Sequence, residues 1–174
     1  MAVPVIETPR LVLRGHRSGD FPAAQALWAD PGVTRFIGGS PLKAEDVWGR
    51  LLRYAGLWSL LGYGFWLVEE RGSGTFVGEV GLHDLQRDTE PSFAGTPEAG
   101  WALMPSAHGK GYAVEAVAAM LGWADDQGIG RTVCIIAPEN APSIRVAGKL
   151  GYRVFADGSY KGKPTRIFER MRPA

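Results

Sequence analysis

The 174 residues carry 19 lysines and arginines against 18 aspartates and glutamates, a net charge of +1, which excludes a global field that would draw the chain to nucleic acid or an anionic membrane. Hydrophobic residues at 45% and charged residues at 21% exclude wholesale disorder. One cysteine, Cys134, excludes an intramolecular disulfide framework. The start MAVPVIETPR lacks the layout of a signal peptide, and no apolar run reaches the ~18 residues of a membrane span, so a single cytoplasmic domain over residues 1–174 is expected.

In chain order, Arg10 to His16 alternates around Leu11 and Leu13 and reads as a half-buried strand. Ser18 or Asp20 caps a helix to about Ala29, broken by Pro31-Gly32. From Ala44 to about Leu61, Val47, Leu51, Leu52, Ala55 and Trp58 follow helical spacing. Phe65 to Val68 and a strand from Phe76 to His83 form a hairpin around Arg71-Gly72-Ser73-Gly74. In its second strand Phe76, Val80 and Leu82 share one face, with Val77, Glu79 and His83 on the other. Gln86 to Pro97 reads as an exposed loop, and Glu98 to Met104 as a strand stopped by Pro105.

The turn Gly109-Lys110-Gly111 then opens a helix to about Gln127, with Val114, Val117, Leu121 and Ala124 on its inner stripe and Gly128 at its end. Val133 to Ala137 is apolar throughout, as a strand buried on both faces is. Asn140 or Ser143 caps a shorter helix ending at Leu150-Gly151, and Tyr152 to Phe155 and Arg166 to Met171 are the last strands. Strands alternating with helices imply an α/β sheet with a parallel crossover.

Glycines where a strand passes into a helix let backbone N–H groups approach a ligand, and the helix start adds unpaired donors and partial positive charge. The turn at Gly109–Gly111 is therefore either an anion site, supplemented by Lys110, or a plain tight turn. It is not a Walker loop, because neither Lys110, Lys149 nor Lys163 is followed by Ser or Thr, and not a dinucleotide fingerprint, because Val114 stands where a third glycine is needed.

The run His108-Gly109-Lys110-Gly111-Tyr112-Ala113 resembles the acyl-CoA motif Gln/Arg-x-x-Gly-x-Gly/Ala of the GNAT superfamily of N-acetyltransferases, with His108 replacing the usual first residue. Asn140-Ala141-Pro142-Ser143 with Leu150-Gly151-Tyr152, the opening Thr8-Pro9-Arg10-Leu11-Val12-Leu13-Arg14, and the segments Gly78–Leu82 and Glu98–Trp101 are similar to its ribosomal-protein-alanine acetyltransferase-like branch. The resemblance implies a GNAT-type mixed, splayed central sheet of about seven strands flanked by about four helices. It implies acetyl-CoA as co-substrate and an amine acceptor, no metal, no nucleic acid or membrane partner, and leaves a homodimer open. Backbone groups of Leu103 and Met104 would hold the pantetheine arm, the amides from Gly109 to Ala113 the pyrophosphate, and Asn140 and Ser143 would line the arm.

The implied reaction is acetyl transfer to a primary amine, of a small molecule or a protein N-terminus, by direct attack in a ternary complex. The alternatives are another acyl-CoA donor or a non-catalytic acyl-CoA sensing module. An amine of pKa near 10 must shed a proton and a thiolate must accept one or a hydrogen bond. Glu98, Glu79 and His83 are the candidate bases. Relatives place a tyrosine at the position of Ala147, which cannot donate; Ser143 is then the candidate acid or else a helix cap, with Tyr152 and Tyr160 as more distant proton sources. Cys134 reads as an inert core thiol, and His16, His83 and His108 lack metal-ligand spacing. Trp48 and Trp58 read as core or as acceptor-pocket lining, and Lys161-Gly162-Lys163 as a solvated turn. Asp84, Asp88 and Glu90, in a segment where relatives build acceptor sites, favour a cationic acceptor.

Overall fold

The computed structural model describes residues 2–173. Its strands are β1 (Ile6–Glu7), β2 (Leu11–Arg14), β3 (Phe65–Glu70), β4 (Phe76–His83), β5 (Thr89–Glu90), β6 (Glu98–Leu103), β7 (Arg131–Ile136), β8 (Arg153–Tyr160) and β9 (Lys163–Met171), and its helices are α1 (Phe21–Ala29), α2 (Pro31–Thr34), α3 (Ala44–Leu61), α4 (Tyr112–Asp126) and α5 (Ala141–Lys149). One nine-stranded sheet runs β1-β2-β3-β4-β6-β7-β9-β8-β5. The count exceeds seven because the two-residue strands β1 and β5 join it at its ends. The helix count exceeds four because α2 forms where a break is expected at Pro31-Gly32: the Asp30 carboxylate accepts from Gly32 N–H at 2.7 Å and Val33 N–H at 3.1 Å, capping a turn that proline starts well.

The mixed sheet is antiparallel except at β6–β7. There, among the described residues, Glu98 opposite Val133 is the one register pair, secured by Val133 N–H donating to the Pro97 carbonyl at 3.0 Å. Beyond it β6 follows β4 from Ala99 to Leu103, while β7 follows β9 from Cys134 to Ile136. The sheet therefore splays, with its vertex at Glu98.

The main core lies where α4 crosses β2, β4 and β6, with Ala116, Val117, Met120, Leu121 and Ala124 buried against Leu11, Leu13, Val80 and Leu82. The stripe differs from expectation only at its first turn, where Val114 is half-buried. In β4 the strict alternation fails at one end. A bulge lets Glu69 face Phe76 directly after Val68 faces Gly78, so Val77 joins Val80 and Leu82 while Phe76 packs with the cluster around Trp28. Gly78 is obligatory there: a Cβ would stand 2.3 Å from the Ala102 carbonyl oxygen.

Candidate active site

The glycine turn leads straight into α4, with Gly109 at φ 75° and Gly111 at φ 81°, conformations that a side chain disfavours. Among the described residues no protein acceptor takes the amides of Gly109, Lys110 or Gly111, and the first turn of α4 leaves those of Tyr112 and Ala113 unpaired by construction. These donors converge at a positive helix end, which fits a pyrophosphate. The turn is clamped from far away. Arg10 donates to the Lys110 carbonyl at 2.8 Å and to Glu115 Oε2 at 2.6 Å, and Thr8 Oγ1 donates to Glu115 Oε1 at 2.7 Å. The clamp residues belong to the opening motif, whose local pattern carries no hint of a partner 105 residues on.

Along β6 the free edge alternates. The Pro97 carbonyl faces β7 and the Met104 N–H faces β4, donating to Val77 O at 2.9 Å, so Ala99, Trp101 and Leu103 turn their backbone groups into the splay. The Leu103 carbonyl already accepts from His108 Nε2 at 3.0 Å, which leaves its N–H. At Met104 the N–H is taken by Val77, while the carbonyl, which accepts from Ala107 N–H at 2.9 Å, keeps a second lone pair.

A cavity of about 210 Å³ fills the splay, walled by Glu98–Ala102 of β6, by Cys134–Ile136 of β7 with Ala137, and by Asn140 and Ser143. It shares Phe36, Ile37, Gly38, Arg50, Phe65, His83, Arg87, Ile135, Ala137 and Tyr160 with a second cavity of about 810 Å³. Asn140 Oδ1 accepts the Ser143 N–H at 3.3 Å, so Asn140 is the cap of α5 and Ser143 sits one turn in, its hydroxyl without a partner among the described residues. Tyr160 reaches both cavities. Tyr152 does not, since it is 4% exposed and its hydroxyl is paired with Thr132 Oγ1 at 2.8 Å.

Two buried carboxylates sit on neighbouring strands. Glu98, at the vertex, accepts from Arg87 Nε at 2.6 Å and lies 3.7 Å from His83 Nε2. Burial raises its pKa above the ordinary carboxylate value, with Arg87 pulling the other way. His83 is lowered to about 3, by burial first and then by Arg87, Arg53 and Arg50, so it is a neutral imidazole near neutral pH and its contact with Glu98 is no ion pair. Glu79 is corrected as a candidate base. It has no exposed surface, lines neither cavity, and accepts from Trp28 Nε1 at 2.9 Å and Tyr54 OH at 2.8 Å, with His16 Nε2 at 3.3 Å.

The acids of the loop after β4 stand apart from both cavities. Asp84 accepts from Gln86 and Gly95 within its own loop, and none of Asp84, Asp88 and Glu90 lines either cavity. Trp58 is core and Trp48 packs edge-on against Phe21; Trp28 and Trp101 are the tryptophans that meet the smaller cavity. Cys134 borders it as well, 1% exposed and with burial pushing its thiol well above the ordinary value, which suits a packing role.

A family model described as "Acetyltransferase (GNAT) domain" matches residues 10–153. The chain belongs to the GNAT acetyltransferase family. It is an acetyltransferase of a family that uses acetyl-CoA, and the splay and amide cradle above fit that group. The uncharacterized protein YkkB of Bacillus subtilis is 31% identical over 112 residues, 63% of either chain, so the match spans less than two thirds of YkkB. A structure from Bordetella pertussis, described as a GNAT-family acetyltransferase, is 32% identical with a TM-score of 0.84, covering 96% of this chain and 99% of that one. RimL, a ribosomal L7/L12 α-N-protein acetyltransferase solved in complex with coenzyme A, is 16% identical with a TM-score of 0.78, covering 97% of this chain and 98% of its own. That likeness concerns the fold alone. Among the described residues of the GNAT chain, no helix is long and apolar enough to cross a membrane.

Proposed function

We propose that this chain moves an acetyl group from acetyl-CoA to a primary amine, of a small molecule or a protein N-terminus, by direct attack with both substrates bound. The observation that carries the reading is the splay itself. Unpaired strand edge and an unpaired amide turn lie at its open end, and a buried carboxylate lies at its vertex.

Amides from Gly109 to Ala113 would bind the pyrophosphate, and the inward backbone groups of Ala99, Trp101 and Leu103 would bind the amide-bearing arm. Acetyl-CoA supplies a thioester whose departing thiolate has a pKa of about 8–9. Glu98, its pKa raised toward the working pH, takes the proton of the acceptor ammonium, directly or through water. His83, neutral and beside Glu98, orients that proton path. The partnerless hydroxyl of Ser143 donates to the departing sulfur.

Incubation with acetyl-CoA and a library of primary amines, read as free-thiol release, tests the reading. Expected is turnover with at least one amine, and a Gly111→Glu variant that loses the thermal stabilisation given by coenzyme A, because bulk and negative charge enter an anion cradle. Tight acetyl-CoA binding without thiol release by any amine, or a Gly111→Glu affinity within threefold of wild type, overturns it.

A further inference from the structure

The larger cavity is charged in one sense. Arg35, Arg50, Arg53, Arg87, Lys161 and Lys163 line it, and Glu139 is the one carboxylate among its lining residues. Neither Lys110 nor any residue of α4 borders it. Its cations are thus not those of the cradle.

Two of them lack a counter-charge. Arg50 and Arg53 stand three apart on α3, on one face, and neither forms an ion pair among the described residues. Arg50 is held by stacking, its guanidinium 3.8 Å from the Trp28 ring centroid and Nη1 3.4 Å from the Tyr54 hydroxyl, with its Nε buried and lacking a hydrogen-bond partner among the described residues. Arg87 stacks on Tyr160 at 4.7 Å while its Nε engages Glu98. Arg53 keeps solvent exposure; partial desolvation and then the charge of Arg50, with Arg87 further down, lower its pKa, and all three arginines act on His83. Like charges gathered in one recess repel one another and focus a positive potential there. Stacked guanidiniums with unused N–H groups are suited to a planar or tetrahedral oxyanion.

We propose that the acceptor is a small amine that also carries an oxyanion, a carboxylate or a phosphate, and that Arg50 and Arg53 hold that oxyanion in the larger cavity while the amine reaches Glu98. The inference rests on the acetyl-transfer reading above and narrows its acceptor. At about 810 Å³ the recess is of the size that takes small molecules, about 300–1,000 Å³. Its walls come from α3, the segment around Phe36 and the β8–β9 turn, so the oxyanion enters between elements far apart in the chain.

The test compares amines in matched sets with saturating acetyl-CoA. Glutamate and 2-aminoethyl phosphate are the anionic probes, glutaminamide and 2-methoxyethylamine their neutral counterparts, and 1,4-diaminobutane the cationic one. Expected is a kcat/KM at least tenfold higher for one anionic probe than for its neutral counterpart, the better probe distinguishing carboxylate from phosphate. In Arg53→Gln that ratio falls at least tenfold with the acetyl-CoA dissociation constant within twofold of wild type, and Arg53→Lys restores most of it. Equal or faster turnover of the neutral or cationic amines, or an unchanged ratio in Arg53→Gln, overturns the proposal while leaving acetyl transfer intact. A short peptide with an acidic N-terminus outrunning both anionic probes overturns the small-molecule assignment. Failure of every amine with acetyl-CoA bound overturns the transfer reading itself.

Discussion

Glu79 on β4 and Glu98 on β6 are both carboxylates removed from solvent, at 0% and 4% exposure, yet their surroundings differ, and the proposed function gives them opposite work. Around Glu79 an indole N–H and a phenol O–H converge, His16 stands beside them, and side chains close over it from α1, α3 and the β2–α1 connection. Around Glu98 one oxygen is held by Arg87 and the other faces His83 at the edge of a cavity. Burial alone therefore does not mark a base. A carboxylate that ties elements together needs every lone pair satisfied, because an unmet buried polar group is costly. One that moves protons needs an opening and a pKa displaced toward neutrality.

The sharpest way to break that contrast is Glu98→Gln, expected to lower kcat on the order of 10²–10⁴-fold with folding retained, read by steady-state kinetics against thermal denaturation. A loss within a few-fold, with chemistry rate-limiting, transfers the base to water. Glu79→Ala should do the reverse. It strands the Trp28 and Tyr54 donors and costs roughly 2–4 kcal/mol of stability, with kcat per folded molecule nearly unchanged, read by denaturant titration.

Ser143→Ala should reduce kcat about 10²-fold with acetyl-CoA affinity and stability retained, since Asn140 and not Ser143 caps α5. A stability loss with normal kcat per folded enzyme would return Ser143 to a structural role and leave Tyr160, which reaches the cavity, as proton source.

The smallest expected effect is a displacement along the pH axis. Glu98 must be ionised to act, and Arg87 holds its pKa below where burial alone would set it. Removing that charge in Arg87→Gln favours the protonated carboxyl, so the acid limb of kcat/KM against pH moves upward. Activity lost near neutrality is regained at higher pH, and a limb that stays in place would detach Glu98 from the profile. His83 has its own signature. Its folded pKa of about 3 lies below the unfolded value near 6.5, so the unfolded chain binds the proton first. Its contribution to stability is present above about pH 6.5 and is lost as pH falls toward 3.

Elements whose evidence is local were legible without coordinates. The spacing of Val117, Leu121 and Ala124 reports the buried stripe of α4, the unbroken run Val133–Ile136 reports a strand covered on both faces, and glycines ahead of a helix report a backbone free to meet an anion. Those signals arise from period, propensity and dihedral freedom, which a chain carries in consecutive residues. Other facts required the chain to be folded back on itself. Whether β6 and β7 stay paired beyond Glu98 depends on their outer neighbours β4 and β9. The clamp of Arg10 and Thr8 on Glu115 joins residues more than a hundred positions apart. The fates of Glu79 and Glu98 depend on which side chains arrive from other elements. The charge of the larger cavity is not legible in the nearby run of Asp84, Asp88 and Glu90, because those acids lie outside it while arginines and lysines from four separate segments converge within. Residue types along the sequence determined which surfaces would bury and where backbone would be exposed to a ligand. Only the tertiary crossings decided which charges share a cavity, because the potential in a recess is set by distance in space and not by order in the chain.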